Sequence, residues 1–155
     1  MGLLDRLRLR FWPPKMVDPD FGSLLFMYVP NAPERSYWEC EWSFPKTQSV
    51  ISIALPGGEE GPLPESRQFY LDLPGRFEEI LAAARPKLAQ VFKSWLDQEL
   101  PEDMFSAVRL SGFDVEDPKT QPLVWDISFE TIGEKWLGIV VPFRGDTPQD
   151  AVVDT

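Results

Sequence analysis

Between Pro74 and Leu100 the chain reads PGRFEEILAAARPKLAQVFKSWLDQEL, and this stretch restricts the fold more than any other. Phe77, Ile80, Leu81, Ala84, Leu88, Val91, Phe92, Trp95 and Leu96 recur at three- and four-residue steps. At about 100° per residue they form one apolar stripe, so the spacing predicts a helix over 74–100. Pro86 falls on the opposite side of that helix. An interior proline removes a backbone hydrogen bond and crowds the preceding turn, so the helix either bends at Pro86 or divides at Arg85–Pro86. Asp72 can cap the start, Pro74 suits a first turn, and Pro101 ends the helix because the residue before a proline avoids helical angles. Five large side chains in the second half, each worth about 1.5–3 kcal/mol on burial, make the stripe a core face.

Strand-like runs flank this helix. Phe21–Val29 is apolar on both faces, which predicts a strand covered on both sides or one carrying a mobile partner. Over Tyr37–Phe44, Trp38, Cys40, Trp42 and Phe44 alternate with Glu39, Glu41 and Ser43. That is the period of a half-buried strand. Ser49–Leu55 and Gln68–Leu73 read as two more strands, the second leading into the helix. Beyond the helix, Phe105–Phe113, Val124–Thr131 and Trp136–Phe143 continue the pattern, with Arg109 suggesting an edge. The expected fold is α+β: a mainly antiparallel sheet of about six or seven strands on one proline-kinked helix. The expected organisation is a basic amphipathic segment over 1–14, a single domain over 15–145 and a polar tail over 146–155.

The charge is distributed unevenly. Residues 1–15 hold Arg6, Arg8, Arg10 and Lys15 against Asp5, a balance of +3, which leaves −13 for the rest of a chain whose net charge is −10. An acidic body is a poor partner for phosphate backbones, so nucleic acid is not an expected ligand. Leu3, Leu4, Leu7 and Phe11 share one helical face of the basic segment. This suits either a helix lying on a membrane surface or one docked on its own domain. Pro13-Pro14 separates the segment from the first strand.

The chain has no histidine and one cysteine. This excludes Ser-His-Asp and Cys-His catalysis, histidine metal ligation and an internal disulfide. Cys40 sits in an apolar row, where burial blunts a thiol. No phosphate loop or dinucleotide fingerprint is present, so no cofactor is expected. Asp114, Glu116 and Asp117, though of the ligand type for magnesium or calcium, lack EF-hand spacing, so no metal is expected. A lone thiol is compatible with a reducing cytoplasm, the expected location.

Asp20-Phe21-Gly22, Trp38 and Trp42, the alternating run Val50–Ile53, the loop Gly58-Glu59-Glu60-Gly61-Pro62, then Gln68 and Tyr70 stand in order along the chain. Residues 18–98 thereby resemble small bacterial domains of no assigned activity that open with a D-x-F-G-like strand and continue with a tryptophan strand. Some such domains accompany toxin–immunity systems, so the resemblance implies a protein-binding role.

These features support two functional expectations. The first is a non-enzymatic interaction domain, an immunity or accessory protein, that meets a basic protein surface through acidic loops. Its candidate residues are Glu59, Glu60, Asp114, Glu116 and Asp117, which lie in turn-rich segments where recognition usually resides. The second is a carboxylate-dependent enzyme acting on a small molecule or sugar, with Glu59 paired to Asp126 or Glu130. No specific catalytic residue is assigned.

Overall fold

The computed structural model describes residues 2–155. In chain order the elements are α1 (Leu3–Phe11), β1 (Lys15–Asp18), β2 (Gly22–Met27), β3 (Tyr37–Ser43), β4 (Val50–Gly58), β5 (Gly61–Pro62), α2 (Pro64–Val91), β6 (Val108–Val115), β7 (Val124–Thr131), β8 (Gly138–Arg144), β9 (Thr147–Pro148) and β10 (Val152–Asp154). The sheet runs β1-β2-β3-β4-β6-β7-β8-β10, with β5 paired to β4 and β9 to β8. The fold is α+β, one long helix on a mostly antiparallel sheet. The ten strands among the described residues exceed the expected six or seven. The additions are short pieces: β1, β5, and the two segments into which the expected tail 146–155 folds back along β8.

The helix begins ten residues before the expected start, and Gln68–Leu73 is helical rather than a strand. The alternation of Phe69, Leu71 and Leu73 imitates a strand, but Leu71 is exposed and Tyr70 is fully buried. The buried positions Ser66, Phe69, Tyr70, Leu73, Phe77, Ile80, Ala84, Leu88 and Val91 carry the helical period back through the first turns. Pro64 supplies the fixed φ of a first turn, in place of Pro74. The helix runs through Pro74 and Pro86 without a break; Pro86 is exposed, where loss of a backbone hydrogen bond is tolerated best. Phe92–Leu96 then forms a π-helical turn ending at Asp97 in the left-handed region (φ 52°). With more residues per turn, that segment rotates Trp95 off the apolar stripe, and its ring is exposed.

One face of the sheet packs on α2. Phe26, Trp38, Cys40, Trp42, Ile51, Ile53, Leu55, Leu110, Phe113, Val115, Trp125, Ile127, Phe129, Ile139, Val141 and Phe143 alternate inward into a single buried cluster. The β1–β2 hairpin shows the roles of its motif. Gly22 adopts φ 79°, a conformation glycine takes readily. Phe21 is buried edge-on against Trp42, with ring centroids 5.2 Å apart. The Asp18 carboxylate accepts from the backbone N–H groups of Asp20 (2.8 Å) and Phe21 (3.2 Å).

Two antiparallel meanders, β1–β4 and β6–β10, meet at β4–β6, the one parallel pairing among the described strands. Ser52 lies opposite Gly112 at this seam. A Cβ on residue 112 would come within 3.2 Å of the Ser52 carbonyl oxygen, so glycine permits the approach. From the helix side, the Tyr70 hydroxyl donates to the Ala54 carbonyl (2.8 Å) and reaches that of Phe113 (3.4 Å). Arg109 therefore stands on an interior strand, not at an edge, where its guanidinium pairs across to Glu130. Leu25 and Met27 are half-buried on the face away from the cluster, so β2 is not covered on both sides.

Candidate functional site

The sheet face opposite α2 carries a group of acids on neighbouring strands. Glu39 and Glu41 on β3 alternate with the inward tryptophans and so point to this open face. They stand opposite Ala54 and Ser52 on β4. The seam continues this row to Gly112 on β6, which faces Ser128 on β7, and two residues further Asp114 lies directly opposite Asp126. Ser52, Ala54, Gly112 and Ser128 thus form a floor of small residues. Glu39 and Glu41 stand on one side of it, Asp114 and Asp126 on the other, with β3 and β6 two strand spacings apart, about 10 Å.

Among the described residues, none of these four carboxylates has a salt-bridge partner. Like charges directly opposite on a sheet repel, and residues so placed hold their Cβ atoms about 5 Å apart. Partial burial, then the charge of Asp114, pushes the Asp126 carboxyl up to about 6, with Ser128 acting in the other direction. Asp114 is raised by the protein around it and then by the charge of Glu116. A cavity of about 270 Å³ opens beside Asp114, lined also by Arg35, Tyr37, Ala54, Pro56, Val115 and Glu116.

The raised Asp126 has a consequence for stability. The native state keeps its proton to a higher pH than the unfolded chain, so this group's contribution falls as pH rises from about 4 to about 6. Asp126→Asn is therefore expected to stabilise the protein at pH 7.5 by about 1–2 kcal/mol, less than the full linkage value because the side chain is partly exposed. Near pH 4 the gain should vanish. Urea midpoints measured at both values check this, and a gain of equal size at both would show that ionisation is not its source.

The expected site residues divide between two places. Asp114 belongs to the open face. Glu116 and Asp117 line a neighbouring groove of about 700 Å³ together with Pro33, Glu34, Arg35, Gly57, Gly58 and Thr120. The loop carrying Glu59 and Glu60 is the β4–β5 turn, so the two acidic loops border one depression through Gly58 and Glu116. The chain supplies its own cations to two of these acids: Arg8 pairs with Glu59, and Arg35 with Glu116. Asp117 accepts from the Lys119 backbone N–H (3.0 Å), which holds its carboxyl below the usual range.

Asp126 faces Asp114, and neither Glu59, bound by Arg8, nor Glu130, bound by Arg109, is its cross-strand partner. Cys40 is buried and its thiol is pushed up to about 11, chiefly by desolvation, so it is a poor nucleophile. Among the described residues no group of three acidic or cysteine side chains is arranged to hold a metal ion. Glu39 and Glu41 are the residues that reasoning from loops overlooked. Their alternation with Trp38, Cys40 and Trp42 was the signal for them. No protein-family model matches the chain, and comparisons with curated proteins and with solved structures return no match.

Proposed function

We propose that this protein is a non-enzymatic interaction domain, of the immunity or accessory kind, that receives a basic protein surface on its open sheet face. The observation that carries this reading is the trough of small residues edged by Glu39, Glu41, Asp114 and Asp126, acids without cationic partners among the described residues. Two carboxylates set opposite each other lower stability when ionised, and an incoming lysine or arginine would relieve that repulsion. On the rim, Glu60 and Asp117, which make no salt bridge among the described residues, extend the negative field and speed encounter with a cation. A free thiol and a reducing cytoplasm are consistent with this role.

Fluorescence anisotropy with an arginine-rich and a glutamate-rich peptide of equal length tests it. The arginine-rich peptide is expected to bind at low salt and to weaken as salt rises. The double change Asp114→Asn and Asp126→Asn should reduce its affinity at least about tenfold, or 1.4 kcal/mol. Charge reversal at Glu59 and Glu60 should mainly slow association. Equal binding of both peptides, or indifference to the Asn pair, would sink the reading.

One observation favours a second reading. A carboxyl titrating near 6 beside a second carboxyl is suited to general acid–base work on a small molecule or sugar. That reading requires turnover that fails on Asp126→Asn, with no preference for the cationic peptide.

A further inference from the structure

The short basic helix α1 is mounted with its apolar side outward. At about 100° per residue, Leu3, Leu4, Leu7 and Phe11 span one arc of about 100°, and Leu9 stands on the opposite side. Leu9 is the buried member, 3% exposed, whereas Leu3, Leu4 and Phe11 are 73%, 81% and 61% exposed. The salt bridge from Arg8 to Glu59 helps fasten the helix to the body. Amphipathic helices that serve only a fold bury their apolar stripe. Here one leucine and an ion pair hold the helix, and the stripe faces away from the protein.

The surroundings of the stripe indicate its occupant. Arg8 falls on one flank, and Arg6 and Arg10 on the other. Trp12 comes directly after the helix, 74% exposed, and its amphipathic ring suits the headgroup level of a bilayer. No helix among the described residues is long and apolar enough to cross a membrane, and α1, with nine residues, is about 13 Å long. Such a helix lies in the plane of an interface. Its apolar side chains enter the acyl boundary, and long cationic side chains beside them reach back to phosphates. Pairing of two stripes would bring the arginines of two copies together, and like charges oppose that contact. Anionic phosphates complement them.

We propose that α1 docks the protein flat on an anionic lipid surface through Leu3, Leu4, Leu7, Phe11 and Trp12, with Arg6 and Arg10 on lipid phosphates. The body then hangs on the Leu9 side of the helix. A single short helix gives reversible attachment, set by lipid charge and salt.

Flotation of the full chain with vesicles of phosphatidylcholine alone, and with about 30% phosphatidylglycerol added, tests this. The wild type is expected to float with the anionic vesicles at least about tenfold more than with the neutral ones, and to be released by salt. The double changes Leu4→Glu with Phe11→Glu, and Arg6→Glu with Arg10→Glu, should each abolish flotation while circular dichroism stays unchanged, because these side chains are exposed. Wild type that remains with free protein at both compositions would overturn the proposal. So would flotation that survives the Leu4 and Phe11 changes, since charge elsewhere would then carry it. A dimer in sedimentation velocity that those changes convert to monomer would assign the stripe to a second copy instead.

Discussion

A Leu88→Asp variant is expected to be unfolded at 25 °C, and Leu88→Ala to lose about 2–5 kcal/mol of stability. Leu88 is 0% exposed and belongs to the continuous cluster between α2 and the sheet. Truncation removes the transfer free energy of its methyl groups and leaves a cavity whose walls are a helix and a sheet, neither free to collapse. An aspartate there would be a charge without a partner in a site that excludes water. Natural domains are marginal by about 5–15 kcal/mol, and lost packing together with a partnerless buried charge exceeds that margin. For Leu88→Ala the urea midpoint should fall by roughly 1–2 M with the slope unchanged. An unchanged midpoint would mean that α2 does not press this residue onto the sheet.

Arg67→Met is expected to cost about 2–4 kcal/mol at pH 7, the lower part of the range for breaking a buried ion pair, because Arg67 keeps some exposure. Its Nε and Nη2 donate to Asp18 at 2.9 and 3.0 Å, a two-pronged contact, and its Nη2 also reaches Asp20. Asp18 is 6% exposed, so loss of Arg67 leaves a carboxylate in poor contact with water. The guanidinium beside Asp18 holds that carboxyl below its ordinary value, against the opposing effect of burial. A depressed folded-state pKa contributes stability above the unfolded value, near 3.9, and this is lost as pH falls through the folded value. The gap between wild type and Arg67→Met should therefore narrow in acid. Arg67→Lys should restore only part of the loss, since an ammonium lacks the fork. A gap that persists at pH 2 would trace the loss to packing of the Arg67 guanidinium over the Phe21 ring instead.

Periodicity made the central half of α2 legible, because an apolar stripe over many turns has few other solutions. Its first turns were hidden by Phe69, Leu71 and Leu73, whose two-residue spacing also fits a strand; only the complete burial of Tyr70 separates the two patterns. The last turn escaped because a π-helical segment departs from the 3.6-residue period of the stripe. The tail appeared loose since Thr147–Pro148 and Val152–Asp154 are too short to show alternation, and they are held by pairing with β8 and by Lys87 on Asp150. The outward face of β3 was readable from Glu39 and Glu41. Its meeting with Asp114 and Asp126 was not, because it depends on β4 lying beside β6, a pairing no local pattern encodes. The reversed mounting of α1 was hidden for the same reason: spacing identifies a stripe but not the side on which Leu9 is clamped.

The parallel seam also bears on how the chain loses its freedom. Most neighbouring strands join across short connections, so their pairing confines little chain. Ser52 and Gly112 are about 60 positions apart, and closing a loop about tenfold longer than a hairpin costs about 2 kcal/mol more in chain entropy. Almost half of that loop is wound into α2, which shortens the coil to be closed. The same helix touches β4 on one side of the seam and β8 beyond it. Its Tyr70 hydroxyl binds at the join itself. α2 is thus both nearly half of the crossover connection and the cover under which its two ends are brought together, and without it the halves would be separate ribbons with no reason to align.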